Sequence, residues 1–176
     1  MDFKKLANQY RDELLDNVLP FWLEHSQDLE FGGYFSCLDR EGKVFDTDKF
    51  IWLQGREVWM FSMLYNKVEK RQEWLDCAVQ GGEFLKKYGH DGNYNWYFSL
   101  DRSGRPLVEP YNIFSYTFAT MAFGQLSLAT GNQEYADIAK RLRDHLSKVS
   151  NPKGKWNKLH PGTRNLKNFA PPDDPL

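Results

Sequence analysis

The sequence predicts an all-α fold made of helical hairpins that are joined by short β-hairpins. Two observations support this prediction: long helical segments alternate between apolar and polar composition, and the whole pattern repeats along the chain. A helix that is apolar nearly all round is buried, whereas a polar helix keeps a face toward solvent. The alternation therefore predicts two layers of helices, one inner and one outer.

The first predicted elements are a helix and a β-hairpin. A charged, helix-patterned segment runs from Phe3 to about His25. The stretch GGYFSCLDREGKV (Gly32–Val44) follows it, with apolar and polar residues alternating on both sides of Asp-Arg-x-Gly. Such alternation around a glycine that can adopt a positive φ is typical of a β-hairpin.

The next two elements are helices of opposite character. From Phe50 to Val68 the chain is apolar at three- and four-residue steps, with almost no polar face, which predicts a buried helix. The segment QEWLDCA, which starts at Gln72, opens a more polar helix that continues to about Tyr88. Together these two segments predict one helical hairpin with an inner and an outer member.

The same order of elements then recurs. The stretch NWYFSLDRSGRPLV (Asn95–Val108) resembles the first hairpin, and its Leu-Asp-Arg at 100–102 lies 62 positions after that at 38–40. A second apolar helix is predicted over Asn112–Ala129, and QEYADIA opens a second polar helix from Gln133 to about Lys148. The repeating unit is therefore about 62 residues long.

This repeat length predicts an incomplete ring. An αα-toroid closes with about six helical hairpins, and six units of this size would need roughly twice this chain. We therefore expect residues 1–170 to form about half of an (α/α)6 barrel, its N-terminal half. The last six residues, PPDDPL (171–176), cannot extend a helix because three of them are prolines. We interpret them as an aberrant tail after a truncation or frameshift near Ala170.

Composition excludes several classes of protein. Of the 176 residues, 41% are hydrophobic and 27% are charged, which is typical of a globular chain, and the net charge of −1 offers no basic field for nucleic acid. No apolar run approaches the ~20 residues of a membrane helix. Two cysteines fit neither a disulfide scaffold nor a metal site, so a cytoplasmic protein without a bound metal is expected.

Arg56 is the strongest candidate for a functional residue. It follows Trp52 by four residues and precedes Trp59 by three, so the three side chains share one helix face. A guanidinium on an aromatic inner wall suits a ligand whose oxygen atoms accept hydrogen bonds or carry negative charge. An arginine paired with Glu57 or Asp48 is the alternative. Trp52 either stacks on a ligand ring or packs in the core.

Other polar residues allow two interpretations each. Tyr111 and Tyr116 flank the start of the second apolar helix, where a hydroxyl either reaches the cavity or supports the helix. Asp46 and Asp48 form either a glycosidase-like carboxylate pair or an N-cap, and capping is our interpretation. The four histidines lie outside the apolar helices, which favours surface or capping roles; these are His25, His90, His145 and His160.

Three stretches closely resemble the N-acylglucosamine 2-epimerase family: Gly32–Asn66, Glu109–Gln125 and Asn151–Lys167. The resemblance implies an (α/α)6 barrel of about twice this length. It also implies inversion at C2 of an N-acyl hexosamine, which interconverts N-acetylglucosamine and N-acetylmannosamine by deprotonation and reprotonation. A small amino sugar is thus the implied ligand, and the family's dimer implies a homodimer.

The resemblance also assigns roles to residues of this chain. Arg56 would be catalytic and stabilise the enolate, Trp52 would stack on the sugar, and Tyr111 and Tyr116 would contribute hydroxyl contacts. The histidines that act as acid and base in the family are expected outside this chain. No cofactor is required in the family.

A basic segment near the end of the chain is a candidate nucleotide site. Lys153, Lys155 and Lys158 lie in NPKGKWNK, and a basic loop with glycine can hold phosphate. Since some members of the family are stimulated by nucleotide, ATP is an expected activator. The segment lacks the spacing of a P-loop, and a solvated connecting loop is the alternative interpretation.

Two other functions remain open from the sequence. One is an aldose–ketose isomerase that acts on mannose through the same enolate. The other is a catalytically inactive truncated fragment that at most binds sugar or associates with itself, because half a ring leaves an apolar flank open.

Overall fold

The computed structural model describes residues 1–109 and 113–149. Several sequence predictions lie outside these residues, namely those on Tyr111, on the three lysines of the nucleotide segment (Lys153, Lys155 and Lys158), on His160 and on the tail at 171–176. Within the described part, the helices are α1 Phe3–Glu13, α2 Leu19–His25, α3 Ile51–Lys67, α4 Gln72–Tyr88, α5 Phe114–Thr130 and α6 Gln133–Val149. The strands are β1 Cys37–Leu38, β2 Val44–Asp46, β3 Lys49–Phe50, β4 Ser99–Leu100 and β5 Pro106–Val108.

The predicted N-terminal helix is present but interrupted. A π-helical segment, Leu14–Val18, separates α1 from α2. Pro20, the second residue of α2, has no N–H to donate to the carbonyl of Asp16, so the regular hydrogen-bond ladder breaks there and a wider turn forms. None of the side chains of α1 is buried, so within the described residues α1 adds nothing to the core.

Two layers of helices form the core, as the alternation of composition predicts. The inner helices α3 and α5 pack against each other, while α4 packs on α3 and α6 packs on α5. The buried side chains between the layers are mostly aromatic or small, and include Phe61, Trp74, Phe84, Ala119, Ala122, Phe123 and Leu142. The predicted order of apolar and polar helices is therefore confirmed.

Both predicted β-hairpins are confirmed. Strand β1 pairs with β2, and β4 pairs with β5, each antiparallel. Gly42 and Gly104 occupy the turns with φ of 84° and 93°, a conformation that residues with a Cβ rarely adopt. The carboxylates of Asp39 and Asp101 accept turn N–H groups, so both aspartates stabilise the turns.

Strand β3 joins the two repeating units, which the sequence did not predict. It pairs with β4 of the second hairpin, so the sheet order is β3-β4-β5. The chain passes directly from β3 into α3, and the N–H of Ile51 donates to the carbonyl of Phe98 at 2.9 Å. The predicted N-cap by Asp46 or Asp48 is wrong, because Phe50 is the cap residue and Asp46 instead accepts the N–H of Asp48 in a turn.

A buried cluster of charges holds the start of α3. The ammonium of Lys49, whose side chain is 0% exposed, donates to Asp28 at 2.9 Å and to the carbonyls of Gly32 and Arg102 at 2.5 and 2.9 Å. The guanidinium of Arg102 donates to both carboxylate oxygens of Asp28, at 3.0 and 3.1 Å. This Asp28–Lys49–Arg102 cluster ties the loop after α2, strand β3 and the second hairpin together.

The electrostatics of the cluster favour its charged form. Burial alone would raise the pKa of Asp28, but hydrogen bonds from Arg102 and Lys49 lower it to about 2. Burial also lowers the pKa of Lys49, and the bond to Asp28 opposes that effect. The Lys49 ammonium further lies 4.5 Å from the ring centroid of Phe84, a cation–π contact.

Replacing Asp28 is expected to destabilise the fold strongly. In Asp28→Asn, Lys49 remains as a buried cation without an anionic partner, and breaking a buried pair in this way costs about 3–5 kcal/mol. The measurement is the free energy of unfolding from urea denaturation, followed by tryptophan fluorescence at neutral pH.

Asp12→Asn is the control for this variant, because the pair of Asp12 with Arg11 is exposed and is worth less than about 1 kcal/mol. Since the pKa of folded Asp28 is below its ordinary 3.8, its contribution is present above about pH 4 and lost as the pH falls toward 2. The difference between wild type and Asp28→Asn should therefore shrink over that interval. Equal stability of the two proteins at neutral pH would contradict the role of the cluster.

Candidate functional site

One face of α3 carries the residues that the sequence singled out. Trp52 and Trp59 are half-buried, and Arg56 lies between them along the helix. Within α3, all of which is described, Arg56 and the terminal Lys67 are the two exposed residues. The spacing of four and three residues places Arg56 on the same face as both tryptophans. The inner helix thus presents one cation on an aromatic surface.

Helix α5 extends this surface. The ring of Phe118 lies with its centroid 6.1 Å from that of Trp52, at an interplanar angle of 49°. Met121 follows one turn later on the same face of α5 and is 36% exposed. We refer to Trp52, Trp59 and Phe118 as the aromatic wall, which is built from two adjacent inner helices.

A glycine lets these two helices approach closely. A Cβ added to Gly55 would lie 2.9 Å from the carbonyl carbon of Phe118 and 3.0 Å from its oxygen. Ala119, the next residue of α5, is fully buried. The missing side chain of Gly55 therefore sets the distance between α3 and α5, and with it the distance between Trp52 and Phe118.

Arg56 has no internal anion in the described part of the chain. No carboxylate there lies within ion-pairing distance of its guanidinium. Of the two partners that the sequence suggested, Glu57 instead contacts the hydroxyl of Ser26 at 2.5 Å. Burial raises the pKa of Asp48, and the nearby carboxylates of Asp46 and Asp101 raise it further. As far as the described residues are concerned, the donors of Arg56 are thus left for a ligand or for solvent.

Tyr116 lies away from the aromatic wall. Its side chain is 2% exposed, and its ring stacks on that of His145 in α6 at 5.1 Å and 13°. Burial raises the pKa of its hydroxyl. Tyr116 is therefore part of the core between α5 and α6, and we do not include it among the residues of the aromatic wall.

The described histidines also lie away from the aromatic wall. His25 packs against Phe21 of α2, and His90 stacks on Tyr94 with centroids 4.9 Å apart. Burial lowers the pKa of His90. His145 packs on Tyr116, as described above. In the part of the chain that the structure describes, no group of three His, Cys, Asp or Glu residues could hold a metal ion.

The structure adds one half-buried carboxyl group next to Arg56 whose burial the sequence did not indicate. Glu57 follows Arg56 and turns to the other side of α3, where burial raises the pKa of its carboxyl to about 8. The sequence offered Glu57 only as a partner for Arg56. Whether Glu57 is covered depends on which elements pack beside it, and helical spacing alone does not show that.

The aromatic wall with Arg56 suits a small ring that has both an apolar face and oxygen atoms. Aromatic side chains match the C–H face of such a ring. A guanidinium presents planar N–H donors to hydroxyls and stabilises an oxygen that becomes negatively charged. Phosphate or nucleic acid recognition would need several cations, and along α3 the second exposed cation, Lys67, lies at the far end.

Comparisons with known proteins agree with this chemistry. The family described as N-acylglucosamine 2-epimerase (GlcNAc 2-epimerase) matches residues 33–173. The N-acylglucosamine 2-epimerase of Mus musculus is 45% identical over 139 residues, which are 77% of this chain and 33% of that protein. The chain thus spans about a third of the length of this relative, and the resemblance noted in the sequence is confirmed.

Solved structures confirm the fold class. A cellobiose 2-epimerase from Bacillus thermoamylovorans B4167 is similar with a TM-score of 0.74 and 29% identity. A sugar epimerase from a ruminal bacterium is similar with a TM-score of 0.77 and 27% identity. Each match covers 86% of this chain and 39% of the other. The predicted helical hairpins of an (α/α)6 barrel are therefore confirmed, and no helix in the described part is long and apolar enough to cross a bilayer.

Gly55→Ala is expected to push α3 and α5 apart. The new methyl group would meet the backbone of α5, which cannot move aside as a flexible side chain would, so the free energy of unfolding should fall by about 1–3 kcal/mol. Urea denaturation of the purified variant measures this loss.

Gly124→Ala provides the matched control. Gly124 lies within α5, and a Cβ there would meet nothing within 4 Å. Alanine has the higher helix propensity by up to about 1 kcal/mol, so this variant should be as stable as wild type or more stable. If both alanine variants behaved alike, the close approach at Gly55 would not limit the packing of the two inner helices.

Proposed function

The chain belongs to the N-acylglucosamine 2-epimerase family, and we propose on this basis that it supplies the sugar-binding and enolate-stabilising side of an epimerase site. The proposed reaction interconverts N-acetylglucosamine and N-acetylmannosamine by removing and returning the proton at C2. The observation that supports this proposal is Arg56, an exposed cation on the aromatic wall with no carboxylate partner among the described residues.

The reaction needs a positive charge near the sugar. The proton on C2 lies next to the aldehyde of the open-chain sugar and is only weakly acidic. Its removal gives an enolate whose negative charge develops on the oxygen at C1. A fixed guanidinium beside that oxygen stabilises the enolate more than the neutral aldehyde, and so lowers the barrier. We assign this role to Arg56.

The aromatic wall would hold the sugar in position. Trp52 is half-buried, so one face of its indole is supported by the helix packing while part of the ring remains accessible. An accessible indole face can stack on the apolar C–H face of the sugar. Phe118, which contacts Trp52 from α5, supports the indole from the neighbouring helix.

The proton carriers belong to another part of the site. Inversion at C2 needs two acid/base groups, one on each face of the enolate. The three described histidines pack against Phe21, Tyr94 and Tyr116 rather than on the aromatic wall. We therefore place the acid and base outside this chain, as the family resemblance implies. In this proposal the chain binds the sugar and does not by itself exchange the proton at C2.

An N-acyl hexosamine is the proposed substrate class because the identity to N-acylglucosamine 2-epimerase exceeds that to cellobiose 2-epimerase. Activation by ATP and formation of a homodimer remain proposals, and no step above depends on either. Action in the cytoplasm is also proposed, since Cys37 and Cys77 are both free.

Binding of N-acetylmannosamine is expected to depend on Arg56. Saturation-transfer NMR on the 176-residue protein measures binding, with N-acetylglucosamine, mannose and cellobiose as comparison sugars. Arg56→Ala should weaken binding by about tenfold or more, because it removes charged hydrogen bonds to the sugar. Arg56→Lys should recover part of the loss, since it restores the charge without the planar donors.

Lys67→Ala is the matched control, because Lys67 is the other exposed residue of α3 and lies at its C-terminal end. Its binding should equal that of wild type. In heavy water, the same samples should retain the C2 proton of N-acetylmannosamine. Binding that is unchanged in Arg56→Ala would overturn the assigned site, and C2 exchange that is lost in Arg56→Ala would show that the chain does carry a proton carrier.

A further inference from the structure

The hydroxyl of Ser26 makes two very short contacts at the end of α2. Its Oγ lies 2.6 Å from the carbonyl oxygen of Trp22 and 2.5 Å from a carboxyl oxygen of Glu57. Ser26 itself is 0% exposed, and Glu57 belongs to α3. Two oxygen atoms approach this closely only when a proton lies between them. Each of the two contacts therefore requires one proton.

Only one assignment of protons satisfies both contacts. A serine hydroxyl carries a single proton, and a carbonyl oxygen carries none. The proton between Ser26 and Trp22 must then come from Ser26. The proton between Ser26 and Glu57 must come from the carboxyl group, which donates to the Ser26 oxygen as a neutral acid.

The surroundings of Glu57 agree with a neutral carboxyl. The titratable groups that face it are Tyr34, from the loop after α2, and Cys77, from α4. The Tyr34 hydroxyl donates to the carbonyl of Cys77 at 2.7 Å, and burial raises the pKa of both side chains, so both stay uncharged. From α2, the imidazole of His25 lies 3.9 Å from the carboxylate of Glu24.

The remaining neighbour of α3 also supplies no charge to this carboxyl. Tyr116, the titratable residue in the buried part of α5, stacks on His145 of α6. Among the described residues, no cation lies within ion-pairing distance of Glu57. A carboxylate at this position would thus be half-buried without a counter-charge, which is costly.

We propose that Glu57 is a neutral carboxylic acid in the folded protein, and that its bond to Ser26 is a pH-sensitive link between α2 and the helix that carries Arg56. Ionisation leaves one proton, that of Ser26, for two contacts, so the hydroxyl can donate either to Trp22 or to Glu57 and the other contact loses its hydrogen bond. The pair of contacts that joins α2 to α3 therefore weakens as the pH rises. Glu57 acts on Arg56 only by positioning α3. The inference goes beyond the proposed function, because it needs neither a sugar nor an epimerase reaction.

The titration of Glu57 tests the proposal directly. In protein labelled with ¹³C at the glutamate carboxyl carbons, the resonance of Glu57 is identified by its loss in Glu57→Gln. We expect this resonance to titrate with a midpoint near pH 8, in accord with the pKa of about 8 that burial produces. A midpoint near the ordinary glutamate pKa of 4.5 would overturn the proposal.

The stability of the same variant gives a second, independent readout. Because the folded state binds the Glu57 proton more tightly than the unfolded state, wild type should lose stability as the pH rises from about 5 to about 8. Glu57→Gln keeps a donor toward Ser26 but cannot ionise. Its urea midpoint should therefore be close to that of wild type at pH 5 and higher than that of wild type at pH 8.5.

Two further variants serve as a control and as a fallback for the experiments on Glu57. Glu41→Gln removes an exposed carboxyl in the first hairpin and should leave the pH dependence of wild type unchanged. If Glu57→Gln does not fold, Ser26→Ala identifies the resonance instead, since it removes the contact partner and should shift both the resonance and its midpoint. A loss of stability in Glu57→Gln that is the same at pH 5 and pH 8.5 would indicate a merely structural side chain and would overturn the pH-sensitive link.

Discussion

The Asp28–Lys49–Arg102 cluster is the interaction on which the rest of the described fold depends. Lys49 stands two residues before α3, so the position of its ammonium fixes where that helix begins. The same ammonium contacts the loop after α2 and the second hairpin, which lie far apart along the chain. Since a buried ion pair tolerates little displacement, these three segments hold one arrangement. Arg56 lies seven residues after Lys49, about one and a half turns into the helix that the cluster anchors.

Much of this fold could be predicted from the sequence because its signals are periodic. The bounds of α3 to α6 agree with the predicted helices to within about two residues, the precision normally expected of helix ends. The hairpins followed from a repeated motif with a turn glycine. The pairing of β3 with β4 could not be predicted in the same way, because two residues are too short to show alternation. Its partner also lies in the other repeat.

Individual side chains were predictable only where helical spacing sufficed. Trp52, Arg56 and Trp59 share a face because they are four and three residues apart. Tyr116 and Phe118 are two residues apart, so about 200° separates them around α5, and only Phe118 lies on the aromatic wall. Lys49 is a residue type that is almost never fully buried, and its burial depends on Asp28, which is distant in sequence. No local sequence pattern indicates that Lys49 and Asp28 form an ion pair.

The pairing of β3 with β4 has a consequence for how repeating units of this kind can be gained or lost. Each described unit lacks a complete sheet of its own, because the strand before the first inner helix completes the sheet of the second hairpin. The ammonium of Lys49 reaches across the same boundary to the carbonyl of Arg102. A duplication or deletion whose boundaries fell between β3 and α3 would separate a strand from its partner and a buried cation from its ligands. The boundaries of a duplication or deletion that preserves the fold are therefore expected before β3, so that β3 and α3 stay together.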